Sequence, residues 1–222
     1  MITTIAPIIT ETSGILNELT EQSESKRLTL VNRAIRATIL KFKFKFRIKS
    51  VNLSVVSASQ EFDLTSSSVI ASEDYDETSG IYEVYLEGST TPLAPVDYAD
   101  RGLVVSGYYL TPDRKTLGFT SEVEYPSTVK VYYLASHKNV AATTDTLNVK
   151  LPDAALEPIC TYVGYLVHKG KRQRNDARNA ILEFQEQVEE LRMKDASGGQ
   201  KYLTKQIKSP FGYTGFRRVY TQ

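Results

Sequence analysis

Three stretches of the chain place apolar residues three and four apart, and the long stretch between the first and second does not. That change of period, from helix to strand and back, limits the fold more than any other feature. The first stripe is Leu28, Val31, Ile35, Ile39 and Phe42, with Ser23 or Ser25 placed to cap it. The second is Leu156, Ile159, Val163, Leu166 and Val167. It opens at Leu151-Pro152-Asp153, where proline suits a first helical turn and aspartate the positive end of the helix dipole. The third runs from about Asn175 to Lys194 through Ala177, Ile181, Phe184, Val188 and Leu191, and Ser197-Gly198-Gly199 stops it.

Before the first stripe, a short helix over Ser13–Gln22 has Ile15, Leu16 and Leu19 on its apolar face. Pro7 and the β-branched residues around it predict an extended arm for residues 1–11. From Lys41 to Lys49, bases alternate with apolar residues at a period of two. This predicts a helix end running into a strand, with Phe42, Phe44 and Phe46 on one face and five bases on the other. Strand candidates follow at 51–57, 61–64, 81–86, 102–110, 117–121 and 128–135, separated by turn formers such as Asp76-Glu77-Thr78-Ser79-Gly80 and Thr111-Pro112-Asp113.

The expected architecture is α+β. Residues 1–11 form an extended arm. Residues 12–45 and 150–196 form a helical bundle, an N-terminal helix plus two C-terminal helices. Residues 46–149 are an inserted β-rich subdomain, an antiparallel sandwich or barrel. Residues 197–222 are an extended docking tail, so both termini are extended.

A chain of 222 residues with 41% hydrophobic and 24% charged side chains can bury a core without staples. The one cysteine, Cys160, sits in an apolar run, so it reads as a small buried hydrophobe and excludes an intrachain disulfide. A reducing compartment, or a virion, suits that usage. The N-terminus lacks a basic region and is broken by Pro7, a poor signal peptide. No apolar run approaches the roughly 18–20 residues of a membrane span, so no membrane is expected.

Groups for catalysis are sparse. The two histidines, His137 and His168, lie in different segments. Cys160 and His168 stand eight residues apart, roughly 12 Å along a helix. No phosphate-binding glycine loop, nucleophile elbow or zinc-binding helix is present. Glu73, Asp74, Asp76 and Glu77 read as a solvated acidic loop in preference to a cation site. No catalytic residue, metal or cofactor is expected.

Charge is distributed unevenly. The net charge is +1, yet residues 51–126 hold thirteen acids and three bases, a net of −10, while residues 200–222 hold five bases and no acid. Such asymmetry suggests interacting surfaces of opposite sign. Two basic features follow. Lys169, Lys171, Arg172 and Arg174 form a loop between the last two helices. They serve either as a solvated turn with cations near a helix C-terminus, or as a contact for an acidic neighbour or DNA phosphates. In the tail, Tyr202, Phe211, Tyr213, Phe216 and Tyr220 alternate with Lys205, Lys208, Arg217 and Arg218. Aromatics and arginines anchor interfaces, which favours docking on another subunit over folding back or binding a single strand.

The phrase Leu28-Thr29-Leu30-Val31-Asn32-Arg33-Ala34-Ile35-Arg36 is followed by the basic-aromatic stretch, by Val51-Asn52-Leu53-Ser54-Val55 and by Gln60-Glu61-Phe62-Asp63-Leu64. Then Thr128-Val129-Lys130-Val131-Tyr132-Tyr133 leads through a linker to Leu151-Pro152 and two closing helices. Over residues 25–195 this order and wording resemble the head-to-tail adaptor family of tailed bacteriophages, the group that includes podophage tail tubular protein A. Phenylalanines stand where that family often has tryptophan. The resemblance implies a non-enzymatic virion protein of the neck, between capsid portal and tail. It implies a homo-oligomeric ring, commonly a dodecamer, with the portal protein and a tail or nozzle protein as partners. Genomic DNA would pass through the lumen without sequence-specific contact. By position, Tyr202, Phe211, Tyr213, Phe216, Arg217 and Arg218 would meet the portal. Another neck or tail-completion protein, such as a tail terminator, is the nearest alternative; a DNA-binding protein using the basic loop and tail is the more distant one.

Overall fold

Proline at the second position of a helix loses nothing, because the first amide groups have no partner inside the helix. Pro7 therefore begins a helix where its presence predicts an extended arm. A short strand, β1 (Ile2–Thr4), leads into α1 (Ala6–Asn17). Ile5 and Ile8 are buried, and the Thr12 hydroxyl donates back to the Ile8 carbonyl at 2.6 Å. The arm over residues 1–11 is thus replaced by strand and helix, and the helix predicted over 13–22 starts seven residues early. The computed structural model describes residues 1–17, 24–56, 61–70, 75–77, 80–104, 106–120, 127–196, 204–208 and 214–218.

The first predicted stripe forms α2 (Glu24–Ile39), with Leu28, Val31, Ile35 and Ile39 buried. Beyond it the backbone makes a turn over residues 40–43 and a short 3-10 turn at Lys45–Arg47, and the strand starts only at Ile48. The alternating stretch keeps its alternation of exposure without strand backbone. Lys41, Lys43 and Lys45 are exposed, Phe44 is buried, and Phe42 and Phe46 are half-buried. Ring contacts replace the strand ladder: Phe44 stacks on Phe46 at 4.9 Å and meets Phe42 edge-on at 5.9 Å.

The fold is mixed, with helices and antiparallel sheets. β2 (Ile48–Val55), β3 (Phe62–Asp63), β4 (Ile81–Leu86), β5 (Pro95–Val96), β6 (Tyr108–Leu110), β7 (Thr116–Phe119) and β8 (Ser127–Leu134) follow α2 in the chain. They make a three-stranded sheet ordered β2-β8-β4 and a four-stranded sheet ordered β3-β7-β6-β5. Among the described residues the strands do not close into a barrel. All pairings in these sheets are antiparallel except β5 with β6, which is parallel. Gly107 permits that approach, since a Cβ there would lie 2.7 Å from the Ala94 carbonyl oxygen. Leu53, Val84, Val129 and Val131 from one sheet and Phe62, Leu117 and Phe119 from the other belong to the same buried core as the helices.

A strand not predicted, β9 (Thr146–Leu151), pairs with β1 and delivers the chain to α3 (Leu156–Gly170). α3 touches the other helices, including α4 (Arg174–Ala196). Ile159, Val163 and Val167 face Phe184, Val188 and Leu191 across a shared core, and Tyr162 lies 4.7 Å from the Phe184 ring. Each fully buried side chain of this kind contributes about 1.5–3 kcal/mol. The tail predicted as extended contains a hairpin, β10 (Thr204–Lys208) with β11 (Thr214–Arg218).

Candidate functional site: the basic groove at the α3–α4 corner

A helix that ends on a left-handed residue closes with two crossed hydrogen bonds. At the end of α3 the Arg172 amide donates to the Lys169 carbonyl at 3.2 Å, and the Gln173 amide donates to the His168 carbonyl at 3.0 Å. The left-handed residue between them is Arg172, with φ 61°. Glycine is the usual occupant, because a Cβ in this conformation costs roughly 1–2 kcal/mol. Gly170, the glycine of this loop, is instead the last residue of the helix.

The corner encloses an open groove of about 620 Å³. Lys169, Arg172, Arg174 and Arg178 line it with exposed cationic side chains; half-buried Tyr165 and Ile181 and buried Ala177 supply the apolar part. No carboxylate lines it. Lys169 Nζ donates to the Tyr165 hydroxyl at 3.2 Å and lies 5.5 Å from the ring centre. Arg172, Arg174 and Arg178 form no ion pair with any of the described residues. Cations gathered at a concave surface without counter-charge favour an anionic occupant.

Of the basic loop read from sequence, Lys169, Arg172 and Arg174 come together here. Lys171 is exposed on the turn but does not line the groove. Sequence reading missed Arg178 and Tyr165. Each stands four residues from a member of the basic loop, Arg178 after Arg174 and Tyr165 before Lys169, the spacing that puts helical side chains on one face. Of the tail residues, Tyr202, Phe211 and Tyr213 lie outside the described residues. The backbones of Phe216, Arg217 and Arg218 pair with those of Gln206, Lys205 and Thr204.

Two polar clusters that attract attention in the sequence are structural. Asp76 is not in a solvated acidic loop. It is buried and paired with Arg47 Nη2, whose guanidinium also donates to the carbonyls of Ala135 and Ile39, each at 2.9 Å, and of Phe42 at 3.3 Å. Glu73 and Asp74 lie outside the described residues, and Glu77 makes an exposed contact with Lys115 at 3.7 Å. His137 is buried, its Nε2 at 2.9 Å from Asn32 Oδ1. Asn32 also clamps Val140, accepting from its amide at 3.1 Å and donating to its carbonyl at 2.9 Å. Because Asn32 Oδ1 accepts, His137 holds its proton on Nε2, and its buried Nδ1 has no partner among the described residues. Burial, with the Arg36 charge nearby, holds the imidazole down at about 4, so it stays neutral.

Cys160 is half-buried, and burial together with Glu11 and Glu157 pushes its thiol up to about 11, far from nucleophilic readiness. Among the described residues no three His, Cys, Asp or Glu side chains are grouped to hold a metal ion, and no helix is long and apolar enough to cross a membrane. No protein-family model matches the chain, and no curated protein matches it by sequence.

Proposed function

We propose that the protein is a ring-forming head-to-tail adaptor of a tailed-phage virion, without enzymatic activity. In this reading the helices form a bundle that carries residues 46–149 as an inserted sandwich. The ring joins the portal to a tail or nozzle protein in the neck, and genomic DNA passes through its lumen. The observation that carries the reading is the basic groove. It holds four cations around an apolar surface, with no carboxylate, histidine, cysteine, serine or threonine among its lining residues, a surface suited to binding an acidic partner. The resemblance over residues 25–195 supplies the partner class, and the acidic stretch 51–126 supplies a surface of opposite sign.

Mixing the purified chain with its portal ring tests this. A co-migrating complex on size exclusion, seen by electron microscopy as a ring stacked on the portal, is the expected result. Deleting residues 200–222 should abolish the complex while leaving the thermal transition in place, because the apolar stripe of α4 ends at Leu191. A chain that binds a tail tube and not the portal is a tail terminator.

The second reading is a DNA-binding protein using the same groove, favoured by its lack of carboxylates. It requires affinity for duplex DNA that falls steeply with salt and depends on Arg172 and Arg178.

A further inference from the structure

A turn on the four-stranded sheet has a shape and charge opposite to those of the groove. Between β5 and β6 the chain makes a 3-10 turn at Tyr98–Asp100, capped by the Asp97 carboxylate, which accepts from the Ala99 amide at 3.0 Å. The turn is firmly built. The Tyr98 ring packs on the Tyr109 ring at 5.7 Å, and Tyr109 lies so close over Gly118 that a Cβ there would fall 2.3 Å from its ring. The Arg101 guanidinium sits 3.9 Å over the Tyr98 ring and donates to the Tyr98 carbonyl, and Tyr109 donates to Glu61 at 3.0 Å. Leu103 and Val104 follow, their amides tied to the Asp100 carbonyl at 2.8 and 3.3 Å. This turn presents an apolar side chain to solvent: Leu103 is 82% exposed. The same turn carries Asp97 and Asp100, Glu61 is tied to it through Tyr109, and Arg101 is engaged on Tyr98.

We infer that this acidic, leucine-tipped turn of one copy seats in the basic α3–α4 groove of a second copy. Leu103 meets the apolar surface of Tyr165, Ala177 and Ile181, and the carboxylates meet Arg172 and Arg178. With Leu103 so exposed, it does not occupy the groove of its own chain. Neither charge alone specifies this occupant. The combination favours it over duplex DNA, whose phosphates bring no apolar group to the groove, whereas an apolar knob beside carboxylates matches an apolar floor beside bases. Turn and groove are different surfaces of one chain, so the contact is head-to-tail and can repeat around a closed ring. The proposal deepens the adaptor reading by naming the contact that would build its ring.

Sedimentation velocity of the full chain, from micromolar to near-millimolar at low salt, provides the test. Concentration-dependent oligomers are expected. R172E with R178E, and separately L103D, should each weaken association by at least about tenfold. Combining D100R with R178E should restore part of that loss, an outcome that misfolding cannot produce. Unchanged circular dichroism spectra check that the variants fold. A chain that stays monomeric throughout, or oligomers indifferent to these substitutions, would overturn the contact. So would monomers that bind duplex DNA through Arg172 and Arg178, which would give the groove to nucleic acid. A monomer that still stacks on the portal would cost this inference and keep the adaptor reading. Oligomers that follow the substitutions but ignore the portal would do the reverse.

Discussion

The chain places arginine at a buried junction and at an exposed corner, and the two surroundings differ in counter-charge. At the junction after α2, Arg47 is completely buried, and its guanidinium meets Asp76 and three backbone carbonyls, from α2, the turn after it and Ala135 just past β8. At the α3–α4 corner, Arg172, Arg174 and Arg178 are exposed and without ion pairs among the described residues, one of them in a backbone conformation that disfavours it. The first charge is consumed by folding: each of its contacts satisfies a buried group. The second group meets no counter-charge among the described residues, and on the proposed reading its charge serves a contact outside the chain. The same residue type is therefore structural or functional according to whether the fold has already supplied its counter-charge.

The sharpest way to break this contrast is to remove each kind of arginine and compare stability. Arg47→Ala leaves the Asp76 carboxylate buried without the guanidinium and takes a donor from three backbone carbonyls. Loss of one member of a buried pair costs about 3–5 kcal/mol, a large part of the total stability of a domain. A urea unfolding curve with a much lower midpoint is expected. Arg47→Met together with Asp76→Leu, which removes both charges, should recover much of the loss. If Arg47→Ala left the midpoint within error of the parent, the junction would not be the pin described here.

Neither side of the comparison is equally visible in the sequence. The helices are legible because their stripes are long: α2, α3 and α4 lie within a few residues of where the periodicity puts them, and strands β2, β4, β7 and β8 fall within their predicted ranges or begin a few residues early. The basic corner is legible too, since cations dense between two helices need no tertiary information to be noticed. Arg47 is not. In sequence it is one of five alternating bases, and the alternation correctly separates exposed lysines from inward phenylalanines while hiding that one base turns inward. What decides its burial is Asp76, twenty-nine residues away, together with the carbonyl of Ala135, eighty-eight away. Pro7 misleads for a local reason: a proline that begins a helix and one that breaks it are the same letter. β9 was missed because its alternating residues run straight into the helix start at Pro152. The left-handed backbone of Arg172 has no local signal either, since the residue type that usually adopts it stands two positions earlier, at Gly170.

A buried polar group without full partners should also reveal itself through pH. His137 in the folded chain titrates near 4 against an ordinary value of 6.5, because burial and Arg36 disfavour its cation. Above pH 6.5 both folded and unfolded chains carry it neutral, and it adds no pH dependence. As pH falls below 6.5 the unfolded chain takes up the proton and the folded chain does not, so stability is lost progressively down to about pH 4. The full loss is on the order of 3 kcal/mol. Asp63, Asp113 and Asp145, whose carboxyls are held low chiefly by hydrogen bonds from Thr65, Thr111 and the Ala142 amide, lose their contributions only nearer their own range, as pH falls toward 4 and below. The window between 6.5 and 5 therefore belongs mainly to His137. Unfolding midpoints across that window should slope in the parent and flatten in His137→Gln. Equal slopes would mean the imidazole is solvated in solution.

The smallest effect has the opposite sign. Arg172→Gly replaces a residue that pays for its left-handed conformation with the one that adopts it freely. The gain is partly offset by the greater freedom of glycine in the unfolded chain. A net stabilisation of about 0.5 kcal/mol is expected, read as a slightly raised unfolding midpoint. Self-association should weaken in the same variant, since the groove loses one of its four cations. Arg172→Ala separates the two causes: it keeps the backbone cost, so it should lose association without gaining stability. A residue that lowers the stability of its own fold and strengthens a contact with another chain is held in place by the contact. If Arg172→Gly instead lowered stability, Arg172 would be making a structural contact like that of Arg47, and the contrast between the two regions would collapse. A rise in stability with association unchanged would leave the contrast standing and remove Arg172 from the docking surface.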